Sequence, residues 1–327
     1  MEDCKENLKH IAFLTQDRIG DALVNSDNIE ALHSIYNPCR ITVFTSPILM
    51  PFYSAHKVVD KVIEYKGVDT QIPNTAFEAV FSHRYDAESV DVIKKMHHKS
   101  AYGYENIDIP EAVCKDIFTK YLPLSIWDDE ILRRYTSVTE QGAELIRLVK
   151  PDYHCQSINF NDDNFQCDYE EAKKILKSAC ADTDNIALFV LSGSYKSKRW
   201  DAVNYLRIND EIKRLGISTI FLIGDDADDD ANWESNTNII SIKCLPLTVI
   251  ASIAILKRDS AIAIGNDTGV MHLLRACGCR SVTICFCDTY QTWAPYCSDR
   301  HIAIHAPCAD FHACSSCNGM RTTADDR

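Results

Sequence analysis

Several short segments carry side chains whose types and spacing suit the transfer of a group away from a charged leaving group. In Gly265-Asn266-Asp267-Thr268-Gly269 an apolar run (Ala261, Ile262, Ala263, Ile264) ends in small polar residues and a helical pattern follows at once. Val270, Leu273, Leu274 and Cys277 then recur at i, i+3, i+4 and i+7, the buried face of a helix. The first turn of a helix has backbone N–H groups without partners and the positive end of the dipole, so Thr268 and Gly269 suit a phosphate. Asp267 either caps this helix or accepts hydrogen bonds from sugar hydroxyls. His272, four residues after Thr268, is either packed filling or part of the same site. By itself the segment reads equally well as a capped helix and as an anion site.

Three other segments follow apolar runs in the same way. In the stretch 192–200, SGSYKSKRW, Ser194 lies in a small polar loop, and Lys196, Lys198 and Arg199 concentrate positive charge. A lysine fixed beside a departing diphosphate stabilises the transition state; the plainer alternative is a solvated basic turn. In Arg18-Ile19-Gly20-Asp21, Gly20 permits a tight turn, and Asp21 is either a helix cap or a carboxylate able to take a proton from an acceptor hydroxyl. In 223–231, IGDDADDDA, an acid beyond the strand end either holds ribose hydroxyls or favours a helix start through the dipole. Neither G-x-G-x-x-G nor G-x-x-x-x-G-K-[ST] occurs, which removes support for nicotinamide dehydrogenases and P-loop NTPases. In the tail, Cys308, Cys314 and Cys317, near His305 and His312, include one C-x2-C pair. They have the ligand types for zinc or iron but match no standard zinc motif.

Elements must position these residues, and the chain supplies them in alternation. Apolar runs at 10–15, 40–45, 61–66 and 77–82 are expected as strands, with a helix from about Ala22 to Tyr36 striped by Ile29, Leu32 and Tyr36. Residues 105–150 are expected to be mostly helical, at 113–121 and 139–149. The polar stretch 157–171 reads as a linker. Strands at 186–192, 218–224, 238–243, 260–265 and 281–286 then alternate with helical segments, the pattern of a doubly wound α/β domain. The fold class is therefore α/β, with domains at 1–165 and 166–327. Ligands are expected in a cleft between the carboxyl ends of the two sheets.

Composition narrows the partners. The 327 residues carry a net charge of -13, which argues against nucleic acid and allows at most peripheral contact with an anionic membrane. With 46% hydrophobic and 25% charged residues the chain is that of a globular protein. Acidic residues ahead of the first apolar run do not resemble a signal peptide, and the most apolar stretch is interrupted by Lys257, Arg258 and Asp259, so a cytoplasmic protein is expected. The cysteines number 15, an odd count, many within apolar runs (Cys244, Cys277, Cys285), and reduced thiols are expected.

Taken together, the segments resemble the heptosyltransferase family of glycosyltransferases. Its I-G-D after the first strand is matched by Ile19-Gly20-Asp21, its K-x-W by Lys198-Arg199-Trp200, and its D-T-G-x-x-H-L by Asp267 through Leu273. The resemblance runs from about residue 8 to about 300. It implies a GT-B fold of two Rossmann-like domains, the first for the acceptor and the second for the nucleotide-sugar donor. It further implies inverting transfer of heptose from ADP-heptose, typically to a hydroxyl of lipopolysaccharide core, with no cofactor required. Carried over, Asp21 is the general base, flanked on the acceptor side by Arg18 and Gly20. Lys198 and Ser194 hold the diphosphate, Thr268 and Gly269 bind phosphate, Asp267 binds sugar hydroxyls and Asp226 the ribose, where the family usually has Glu. His272 is a family position of structural or supporting role, and Arg275 stands where a small apolar residue is usual. A related subgroup heptosylates autotransporter proteins and carries cysteine-bound iron, so glycan, lipid-linked glycan and protein acceptors all remain open. A non-catalytic nucleotide-sugar-binding protein is the competing class.

Overall fold

The computed structural model describes residues 8–123, 138–155, 163, 165–179, 185–191, 199–224, 238–241, 245–285 and 299–305. The chain divides into two compact units, residues 1–159 with 163–166, and residues 160–162 with 167–327.

The first unit opens with β1 (Lys9–Leu14), where Ile11, Ala12, Phe13 and Leu14 are all fully buried. An unbroken apolar run of this kind is what a parallel strand covered on both faces requires. There follow α1 (Ile19–Tyr36), β2 (Cys39–Thr45), α2 (Met50–Ser54), β3 (Lys61–Glu64), β4 (Ala76–Ser82), α3 (Ala87–Lys95), β5 (His97–Tyr104), α4 (Glu111–Ile117) and β6 (Lys120–Leu122). Two short helices, α5 (Val138–Gly142) and α6 (Glu144–Arg147), follow later in the unit. The sheet is wholly parallel, in the order β3-β2-β1-β4-β5-β6.

The second unit runs α7 (Tyr169–Ala179), β7 (Ile186–Val190), α8 (Ala202–Arg214), β8 (Ser218–Ile223), β9 (Asn238–Ser241), α9 (Leu247–Leu256), β10 (Ala261–Asn266), α10 (Gly269–Ala276), β11 (Arg280–Cys285) and β12 (His301–His305). Its parallel sheet has the order β12-β11-β10-β7-β8-β9. Numbered from the start of each unit, both sheets read 3-2-1-4-5-6, so the doubly wound α/β class holds in both halves. In each, the strand order reverses between the first and fourth strands: between β1 and β4, and between β7 and β10. The carboxyl ends at such a reversal are where open α/β sheets take their ligands.

Several expectations are corrected. Helix α1 begins at Ile19, not Ala22, so Gly20 and Asp21 lie in its first turn and no turn is made at Gly20. Strands β5, β6 and β12 were not expected: β5 starts with His97, His98 and Lys99, and only its last four residues are buried. The expected helix 113–121 stops at Ile117 because Phe118 takes an extended backbone and leads into β6. No helix among the described residues is long and apolar enough to cross a membrane.

Close packing at the second reversal leaves no room for a side chain at Gly265. A Cβ there would come within 2.7 Å of Val190 Cβ and nearer still to the Val190 carbonyl oxygen. Because that obstruction is partly strand backbone, Gly265→Ala is expected to cost about 3 kcal/mol, seen as a lower denaturation midpoint in urea.

Candidate active site

In the first unit the end of β1 is tied to both neighbours: Thr15 N–H donates to the Phe44 carbonyl at 3.0 Å and His83 N–H to the Leu14 carbonyl at 2.9 Å. Thr15 Oγ1 and Thr45 Oγ1 share a hydrogen bond of 2.8 Å. Asp21 sits one turn beyond this end, in the first turn of α1. Burial pushes its carboxyl up to about 6, against the opposing pull of the Arg18 charge and a hydrogen bond from the Arg18 backbone N–H. That hydrogen bond is half of a capping box, a carboxylate at the third helical position reaching back to the N-cap donor. Asp21 therefore serves the helix start without being its N-cap, which is Arg18, itself lacking a side-chain cap bond. The buried phenols of Tyr53 and Tyr85 lie within electrostatic reach of the same carboxylate.

Sequence reasoning missed Arg84, which ties down the segment between β1 and α1, just ahead of Asp21. Its two terminal nitrogens bind Asp17 Oδ1 and Oδ2 at 2.7 and 2.9 Å. Nη1 also donates to the Thr15 carbonyl at 3.0 Å, and Nε to Asp86 Oδ2 at 2.7 Å. The guanidinium stacks 3.8 Å from the centre of the Tyr65 ring. Burial works against its charge, and the Asp17 and Asp86 carboxylates more than offset that. The fixed fork of an arginine suits this use, spanning the ends of β1 and β4 with four bonds at once. The only sequence signal was position, since Arg84 follows a strand end just as Asp17 does. Beside it His83 is fully enclosed, within 3.4 Å of Asn28 Nδ2 and of the Tyr104 hydroxyl, and burial lowers its pKa to about 3. It is a neutral histidine at any working pH.

In the second unit Asn266, completely buried, fastens the end of β10. Its Nδ2 donates to the Leu191 carbonyl at 2.9 Å; its Oδ1 accepts from the Trp200 N–H at 2.9 Å and the Tyr205 hydroxyl at 2.8 Å. Asp267 extends the ladder by one bond, its N–H to the Ile284 carbonyl at 3.1 Å. Thr268 is the N-cap of α10, in extended backbone, yet its hydroxyl makes no cap bond. That buried hydroxyl has no hydrogen-bond partner among the described residues. A polar atom buried without a partner costs about 1–3 kcal/mol. His272 Nε2 lies 3.1 Å from Asp267 Oδ1, and Arg275 Nη2 lies 3.1 Å from His272 Nδ1. The expected burial of Val270, Leu273, Leu274 and Cys277 holds, but Met271, His272 and Arg275 are buried too, so α10 is enclosed on more than one face.

The structure thus brings Arg18, Gly20 and Asp21 together at the first reversal, and Asp267, Thr268, Gly269 and His272 at the second. Ser194, Lys198, Asp226 and the tail residues Cys308, Cys314 and Cys317 lie outside the described residues. So does His312. Among the described residues no group of three His, Cys, Asp or Glu side chains could hold a metal ion.

The sequence pattern of glycosyltransferase family 9 (heptosyltransferase) matches residues 130–318. No curated protein matches the chain. A glycosyl transferase family 9 structure from Veillonella parvula is 17% identical, with 96% of this chain and 92% of that chain covered and a TM-score of 0.73. The E. coli ADP-heptose lps heptosyltransferase II is 12% identical over 90% of each chain, with a TM-score of 0.67. E. coli heptosyltransferase WaaC with ADP is 14% identical over 91% of each, with a TM-score of 0.59. At these identities the likeness establishes the fold, which is that of the GT-B heptosyltransferases. The family pattern covers more than half of the sequence, and the chain is a glycosyltransferase belonging to family 9, the heptosyltransferase family.

Proposed function

We propose that the chain is an inverting heptosyltransferase that uses ADP-heptose and transfers the sugar to a hydroxyl of a lipopolysaccharide-core or related glycan, in the cytoplasm. The observation that carries the donor reading is the Asp267-Thr268-Gly269 turn at the second strand reversal, with its buried, unbonded Thr268 hydroxyl. Solved relatives bear on the nucleotide: one is WaaC with ADP, another WaaC with ADP-2-deoxy-2-fluoro heptose.

In this reading the second domain binds the donor. Thr268 and the first N–H groups of α10 take a phosphate, Asp267 takes sugar hydroxyls, and Lys198 with Ser194 neutralises the departing diphosphate. Asp226 takes the ribose. The first domain binds the acceptor, and Asp21 removes the proton from its hydroxyl as that oxygen attacks the anomeric carbon. The bond from that carbon to the diphosphate oxygen breaks, ADP leaves, and the configuration inverts because attack and departure are on opposite faces of the sugar. Each step has a group from the chain itself, and no metal is assigned to any of them.

ADP-heptose is expected to raise the thermal midpoint of the protein by mass action. UDP-glucose at the same concentration is expected to leave it in place. No shift with ADP-heptose at millimolar concentration rejects the donor. Thr268→Val separates a phosphate ligand from a mere cap. Valine has the same shape without the hydroxyl, so the fold should keep or gain about 1 kcal/mol, while ADP-heptose affinity drops roughly tenfold for one lost hydrogen bond to a charged group. A loss of about 1 kcal/mol of stability with unchanged affinity is the cap outcome.

A further inference from the structure

Three side chains of opposite or switchable charge are almost completely enclosed around α10: Asp267 at 7% exposure, His272 at 4% and Arg275 at 8%. They form a line. Arg275 Nη2 is 3.1 Å from His272 Nδ1, and His272 Nε2 is 3.1 Å from Asp267 Oδ1. The helix dictates the first contact, since residues three apart share a face. The second follows because Asp267 directly precedes the N-cap Thr268 and lies over the first turn.

The chemistry of the three groups leaves one arrangement of hydrogens. A guanidinium stays protonated and has only donors. His272 Nδ1 must therefore offer a lone pair. The single ring proton is then on Nε2, where it faces an ionised carboxylate that can only accept. With the proton on Nδ1, two donors would meet at Arg275 and two acceptors at Asp267. An imidazolium would again set two donors against each other at Arg275.

We propose that Arg275 positions the Asp267 carboxylate through His272, making Arg275 a positioning residue for recognition of the donor's sugar. This rests on the donor reading above, in which Asp267 receives sugar hydroxyls. A carboxylate discriminates hydroxyl positions only if its plane is fixed. Here the imidazole stands against Oδ1 at 3.1 Å and walls the carboxylate on one side, and the arginine keeps the imidazole from turning over or changing tautomer.

The test is carried out on the full chain with ¹⁵N-labelled histidine and with Arg275→Met and Arg275→Lys. In the wild type, His272 is expected as the Nε2–H tautomer alone from pH 6 to 8. Arg275→Met should give a mixture of tautomers and weaken ADP-heptose about tenfold, the range in which a supporting partner tunes a ligand. ADP, which lacks the sugar, should bind within about twofold of the wild type. Arg275→Lys, with a donor still in reach, should recover most of the ADP-heptose affinity. An Nδ1–H tautomer or an imidazolium in the wild type overturns the proposal, as does an equal loss of ADP and ADP-heptose in Arg275→Met, which is the mark of a purely structural role. If Arg275→Met does not fold, the wild-type tautomer and the Arg275→Lys affinities decide the matter. Wild-type protein that shows the Nε2–H tautomer but binds no ADP-heptose overturns the donor reading separately.

Discussion

Asp21→Asn is expected to lower sugar transfer by about 10³-fold while making the protein more stable above pH 6. Both effects come from one property. The folded protein holds the Asp21 carboxyl at about 6, above its ordinary value of 3.8, because burial penalises the charge. A base of this strength is mostly ionised at neutral pH and still takes a proton readily. The wild-type rate should therefore rise with pH through about 6 and level off above it.

The sign of the stability effect follows from linkage. Between pH 3.8 and 6 the folded state binds a proton that the unfolded state has released, so stability falls as pH rises through that window. Above it the full cost of the buried charge is present, at most on the order of 3 kcal/mol for a shift of this size. Asparagine carries no charge and can still accept the Arg18 N–H, so the variant should unfold at a higher temperature at pH 8 and show no such gain at pH 4. ADP-heptose affinity should be nearly unchanged. Full activity in Asp21→Asn removes Asp21 as the base; lost activity without the pH-dependent gain in stability removes the burial argument.

What could be read from the sequence divides along physical lines. Continuous apolar runs such as 11–14 and 186–191 announce central parallel strands, because both faces are covered and their residues must be apolar. Strands away from the sheet centre escape that rule. His97–Tyr104, next to last in its sheet, is half polar, and His301–His305, at an edge, has only three apolar residues between two histidines. The acidic start of α1 was visible, but its length was not. The three residues from Ile19 become helical once Asp21 reaches back to Arg18 N–H, a bond that no periodicity reveals. Within the candidate site, the turn and the helix that carry Asp267, Thr268 and His272 were legible because they are local. Arg84 was not, since its partners Asp17 and Thr15 lie 67 and 69 positions away. Asn266 stood inside the motif itself, yet its three partners come from residues 191, 200 and 205, brought near only by the pairing of β7 with β10.

Asn266→Ala is the substitution expected to damage the second domain most. It would leave three polar groups of the interior without their partner: the Leu191 carbonyl, the Trp200 N–H and the Tyr205 hydroxyl. At about 1–3 kcal/mol for each buried group left unsatisfied, the loss amounts to several kcal/mol, enough to unfold a domain of ordinary stability. Asn266→Asp isolates the cause. It keeps the oxygen that serves Trp200 and Tyr205 but places a second acceptor 2.9 Å from the Leu191 carbonyl, where Nδ2 now donates. Protonation of the new carboxyl would restore a donor there, so its folded-state pKa should be raised above the unfolded value. The variant should then be several kcal/mol weaker than wild type at pH 8 and should recover much of that difference as the pH falls toward 5, opposite to the course of ordinary acid denaturation. Leu191 and Trp200 bracket the segment that carries Ser194 and Lys198, so loss of Asn266 should also release both ends of that segment. ADP-heptose binding should fall in Asn266→Asp at pH 8 and return in part at pH 5.5, measured by calorimetry below the unfolding transition. A variant as stable as wild type at pH 8 would mean that the hydrogen bond to Leu191 does not hold the two central strands of that sheet together.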